Sequence, residues 1–110
     1  MKRISELEAF VKYLRASDPR DDSVFQYMLS EGMDLLEYND EDCARLFDVS
    51  RPTVTRWRNG STAPHRAIRL PLRNVLKREV SKRVKLLERR KGSEQAAFGI
   101  LERRKVGGLA

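Results

Sequence analysis

The sequence predicts an all-α fold: a small helical domain with an extra helix before it and a long basic helix after it. Three observations carry this. Apolar residues recur every three or four positions in segment after segment, the spacing that lines one face of an α-helix. No segment alternates apolar and polar residues at period two, so no sheet of consequence is expected. Residues that start and stop helices fall at the breaks between the apolar stripes.

Ile4, Leu7, Phe10, Val11 and Leu14 place a first helix over roughly residues 4–16, and Asp18-Pro19 ends it, because the residue before proline avoids the helical region. A second helix starts near Ser23 on the face formed by Val24, Phe25, Met28 and Leu29. Gly32 is its expected stop, unless the helix resumes through residues 34–37. Asn39 or Asp40 caps a third helix, DEDCARLF, whose three first-turn carboxylates suit the positive end of the helix dipole. The same cluster lacks the glycine and the alternating spacing of a calcium loop, which makes capping the better reading. Ser50 caps a fourth helix, Pro52 falls in its first turn, and Asn59-Gly60 terminates it. After the turn Ser61-Thr62-Ala63-Pro64, Pro71 opens or kinks a long helix striped with Leu72, Leu76, Val80, Val84 and Leu87. Gly92 is its expected end, with one more possible helix over residues 93–104 and a loose Val-Gly-Gly-Leu-Ala tail. The chain thus divides into residues 1–20 (N-terminal helix), 21–70 (central domain) and 71–110 (basic helix and tail).

Charge narrows the function. The net charge of +7 conceals an asymmetry, for residues 1–48 carry 6 Lys/Arg against 12 Asp/Glu, and residues 49–110 carry 17 against 4. Residues 49–78 contain no acid at all. Such a half suits phosphate, or as a lesser reading an anionic membrane surface. The basic helix carries only Leu and Val on its apolar face, without the Trp or Phe of an interfacial helix, so nucleic acid is preferred. No apolar run approaches the ~20 residues that span a bilayer, and MKRISELEAF lacks a signal-peptide core, so a cytoplasmic, nucleoid-associated chain is expected. Cys43 is alone, which rules out a disulfide or a four-cysteine zinc site within the chain and reads as a small core residue. With one His, one Cys and no Gly-rich phosphate loop, an enzyme is disfavoured, and neither a cofactor nor a metal is expected.

Residues 40–60 hold the functional signal. DEDCARLF, a turn at Asp48-Val49-Ser50, and RPTVTRWRN make two short helices joined by a tight turn, the helix-turn-helix arrangement. Ala44 is small where the helices approach, Val49 plugs the turn, and Val54 and Trp57 face inward as core. Asp48 stands where a left-handed backbone is needed, which Asp tolerates better than most residues. The stretch ARLFDVSRPTVTRWRNGSTAP resembles the phage repressor/Cro-type (Xre-like) helix-turn-helix family and its "GVS…TVSRWENG…P" pattern, over about residues 24–70. Asp48 departs from the usual glycine.

The resemblance implies a DNA-binding, usually dimeric, prokaryotic or phage regulator. Carried over by position, Arg51, Pro52, Thr55 and Arg56 face base edges. Arginine is suited to guanine and Thr or Pro to the thymine methyl. Ser50, Thr53, Arg58, Asn59, Ser61, Thr62 and Arg66 are placed for phosphates, and His65 either touches a phosphate or caps the next helix. The stripe Leu76, Val80, Val84 and Leu87 is expected to form a homodimer seam, with packing back on the domain or tracking of DNA as alternatives. A rival reading makes the chain an adaptor or antitoxin-like protein whose acidic residues 1–37 bind a protein partner. Another makes it a non-specific nucleoid or replication accessory protein.

Overall fold

The computed structural model describes the backbone of residues 3–107 and the side chains of residues 3–90. It is helical, with no strand among the described residues: α1 Ile4–Ala16, α2 Asp22–Leu36, α3 Asp40–Phe47, α4 Arg51–Asn59 and α5 Arg66–Gly107. The expected bounds of α1, α3 and α4 hold because each is set by a local signal. Leu7, Phe10, Val11 and Leu14 are the buried face of α1. Asp21 caps α2 by accepting from the backbone N–H groups of Ser23 and Val24.

Two glycines expected to end helices do not. Helix α2 runs through Gly32 to Leu36, and Glu37 closes it in the left-handed region at φ 59°. Gly32 instead faces α5 at close range, for a Cβ there would sit 2.8 Å from Leu76 Cδ2. Helix α5 likewise continues through Gly92, since an isolated glycine costs a helix only ~1 kcal/mol relative to alanine. The start of α5 also differs: the helix opens at Arg66, and Pro71 lies inside it. Pro71 has no N–H to bond the Ala67 carbonyl, and both residues are exposed. The expected loose end lies partly in α5 and, from residue 108, outside the described residues.

Packing corrects one further expectation. Leu76, Val80 and Val84 are 1%, 0% and 8% exposed within a single chain, where α5 packs along α1 and α2, and Leu87 rests against the same core. They are therefore not a free dimer seam; an apolar stripe at helical spacing does not say which helix covers it. Residues of all three stretches, 1–20, 21–70 and the described part of 71–110, contribute to a single core. Leu7 and Leu14 of α1, Phe25 and Met28 of α2, Phe47 of α3, Val54 and Trp57 of α4, and Leu76 and Val80 of α5 share one core.

Arginines lock this core at its edges. Arg69, 5% exposed, donates to the carbonyls of Pro64 (2.9 Å) and Arg20 (3.0 Å) and to the Asp22 carboxylate (2.6 Å). Its guanidinium carbon also lies 5.6 Å from the centre of the Phe25 ring. Arg73 donates to the Leu14 carbonyl near the end of α1 (3.1 Å), and Arg83 to the Leu36 carbonyl at the end of α2 (3.5 Å). Cations suit these negative helix ends.

Candidate nucleic-acid interface

The unit that presents α4 is built from backbone signals. Asn39 and Asp42 form a reciprocal capping box at the start of α3: Asn39 Oδ1 accepts from the Asp42 N–H at 2.8 Å, and Asp42 Oδ2 from the Asn39 N–H at 3.0 Å. Asp48 then takes the left-handed conformation (φ 57°, ψ 49°), and the Val49 N–H closes the turn on the Ala44 carbonyl at 3.0 Å. Ser50 Oγ accepts from the Thr53 N–H, and Pro52 occupies the first turn of α4. Gly60 ends the helix at φ 82°.

Tertiary contacts fix how α4 is turned. Val54 is fully buried and Trp57 is 7% exposed, its ring edge-to-face with Phe25 of α2 at 6.0 Å. Gln26 of α2 donates to the Arg58 carbonyl at 3.1 Å, bracing the far end of α4. With that face inward, Arg51, Pro52 and Arg56 are exposed, as are Asn59, Ser61, Thr62 and Arg66 beyond them.

Several assigned roles change at the level of atoms. Thr55 is half-buried, and its hydroxyl donates to Asp40 Oδ2 at 2.6 Å and lies 3.1 Å from the Arg51 carbonyl. It is not held out toward a groove. Arg58 is held by the same carboxylate, Nε to Oδ1 at 2.8 Å and Nη2 to Oδ2 at 3.0 Å. Ser50 and Thr53 share a hydrogen bond at 2.6 Å between their hydroxyls, and Asn59 Oδ1 accepts from the Ser61 N–H and hydroxyl. These side chains serve local structure first. His65 is a cap: its Nδ1 accepts from the Ala67 N–H at 3.0 Å at the head of α5.

Asp40 is the residue that sequence reasoning missed in this role. As a first-turn carboxylate of α3 it reads as a partner of the helix dipole, and nothing local announces partners 15 and 18 residues away. The hydrogen bonds from Arg58 and then from Thr55 hold its carboxyl below the usual carboxylate range, against a smaller opposing effect of burial. It sits at an open cleft of about 690 Å³ whose walls include Met33, Tyr38, Arg51, Thr55 and Arg58. Cys43 is buried, and desolvation pushes its thiol up to about 12.

Among the described residues no group of three or more His, Cys, Asp or Glu is placed to hold a metal ion, and no helix is long and apolar enough to cross a membrane. Compared with protein-family models, curated proteins and solved structures, the chain matches none.

Proposed function

We propose that the chain binds double-stranded DNA by laying α4 in the major groove, as a prokaryotic or phage-type transcriptional regulator acting in the cytoplasm at the nucleoid. The observation that supports this reading is the α3–α4 unit itself: two short helices, a left-handed turn at Asp48, and an outward face on α4 that carries Arg51, Pro52 and Arg56. Arg51 and Arg56 are the base readers in this proposal, and Pro52 supplies an apolar contact. Thr62 and Arg66, exposed past the end of α4, are the phosphate contacts that set the angle of approach.

The test is selection of bound duplexes from random DNA, followed by the Arg56→Ala variant on the selected site. A consensus should emerge, and Arg56→Ala should cost ~1–3 kcal/mol on it while relaxing preference at one position. Equal losses on selected and scrambled duplexes would make Arg56 a phosphate ligand. Absence of a consensus would favour the non-specific nucleoid reading.

The stripe on α5 is used up inside the chain, so homodimerisation loses the argument made for it. A second reading, the adaptor, draws support from the α1–α2 face. Tyr27 is 51% exposed and meets Tyr13 edge-to-face at 5.1 Å, over a cleft rimmed by Glu6 and Glu31. A stand-alone regulator gives a discrete mobility shift unaided, whereas an adaptor needs its partner.

A further inference from the structure

We propose that Asp40 sets the selectivity of the DNA contact, by holding Thr55 and Arg58 on one flank of α4 and withholding that guanidinium from phosphates. The inference rests on the DNA-binding reading of α4 and deepens it with a residue from the neighbouring helix. Three hydrogen bonds converge on one carboxylate: 2.8 and 3.0 Å from Arg58, and 2.6 Å from the Thr55 hydroxyl. The Arg58 contact uses both carboxylate oxygens, the two-pronged geometry that makes guanidinium–carboxylate pairs directional. The Asp40 side chain is 19% exposed and that of Arg58 is 45% exposed, so the pair lies at the surface beside the outward face of α4.

The consequence follows from where each binding mode takes its energy. Binding to DNA of any sequence comes almost wholly from phosphates. An unheld Arg58, on a mobile side chain, would be one more phosphate ligand for every sequence in every orientation. Asp40 removes that ligand by keeping the guanidinium on its own two oxygens. A complex on the preferred sequence loses less, because there α4 is oriented by Arg51 and Arg56 at base edges. Residues 49–78 contain no acid, so the fold brings this negative charge to α4 from across the turn.

The experiment compares wild type, Asp40→Asn, Arg58→Lys, Arg58→Gln and the double variant Asp40→Asn/Arg58→Gln. Each is titrated across a salt series with the duplex selected by the wild-type chain and with a scrambled duplex of the same composition. Asp40→Asn should steepen the log–log salt slope on the scrambled duplex by ~0.9, roughly a threefold further gain in affinity between about 200 and about 50 mM salt. The ratio of selected to scrambled affinity should fall. Arg58→Lys keeps the charge but gives up the fork, and should move the same way from the other side of the pair, which covers a failure of Asp40→Asn to fold. In the Arg58→Gln background, Asp40→Asn should leave the slope where it is.

An unchanged slope and ratio in both Asp40→Asn and Arg58→Lys overturns the proposal while leaving DNA binding intact. A shift of the same size in the Arg58→Gln background also overturns it, because the effect would then be bulk charge alone. A wild type that binds neither duplex removes the DNA reading and this proposal together.

Discussion

Arg69 shows how much of the fold hangs on single polar side chains. An arginine 5% exposed is tolerable because its N–H groups find the Pro64 and Arg20 carbonyls and the Asp22 carboxylate. Arg69→Met fills similar space but strands those carbonyls, at ~1–3 kcal/mol for each buried group left unpaired. The expected result is a lower urea midpoint with an unchanged slope. Arg69→Lys should not restore it, since one ammonium cannot reproduce the planar fork. Trp57 is the apolar counterpart. Removing its ring from the contact with Phe25 should cost ~3–5 kcal/mol, a large share of a small domain's stability. Thermal unfolding followed by circular dichroism checks this: an unchanged melting temperature would place Trp57 at the surface and contradict its burial.

Among the elements, the α2–α5 crossing and the α3–α4 unit make separate demands. Gly32 lets α2 sit against Leu76, itself 1% exposed, so a side chain at position 32 would force Leu76 to shift. Gly32→Val should therefore destabilise by ~1–3 kcal/mol through overpacking, read as a lower melting temperature. Acid tests the other unit. The carboxyl of Asp40 is lowered by hydrogen bonds from Arg58 and Thr55, and that of Asp42 by the Asn39 N–H at the capping box. A carboxyl with a depressed pKa in the folded chain adds stability that is complete above its unfolded value, about 4, and fades as pH falls through the folded value. The melting temperature should thus hold from neutral pH down to about 4 and drop below it. Asp40→Asn should shrink that drop, because one of the protonating groups is gone. A drop of equal size in Asp40→Asn would assign the acid sensitivity elsewhere.

For the molecule as a whole, α5 is both a strut and a charge carrier. Its 42 residues reach ~63 Å at 1.5 Å per residue, but Leu72, Leu76, Val80 and Val84 in its first half are the ones that enter the core. A chain ending after Arg69 should not fold, since it lacks all four, whereas one ending after Arg90 should keep its helical signal and cooperative melt. Changing Val80 and Val84 together to Glu places two carboxylates in the core. It should unfold the chain rather than split a dimer, and light scattering beside circular dichroism separates the two outcomes. A folded, lighter species would restore the seam. The basic surface is likewise smaller than composition implies, because Arg58, Arg69, Arg73 and Arg83 are engaged with carboxylates or carbonyls.

What the sequence determined by itself is what short-range chemistry controls. Asn39 with Asp42, Ser50 with Pro52, and Asn59-Gly60 set the ends of α3 and α4 through hydrogen bonds and backbone preferences spanning a few residues. The spacing of Leu7, Phe10, Val11 and Leu14, or of Leu72, Leu76, Val80 and Val84, likewise assigns these positions to one face of a helix. Partners were not legible. Periodicity marks a face as apolar without naming the helix that will cover it, so the α5 stripe, expected as a dimer seam, is core instead. Gly32 reads as a stop because its use, a close approach to Leu76, exists only once α5 is in place. Asp40 and Arg58 look like separate surface charges until the turn at Asp48 folds α3 back on α4. Their pairing, and that of Arg69 with Asp22 and the Arg20 carbonyl, spans 18 to 49 residues of chain, and only the packed core brings such groups within hydrogen-bond reach.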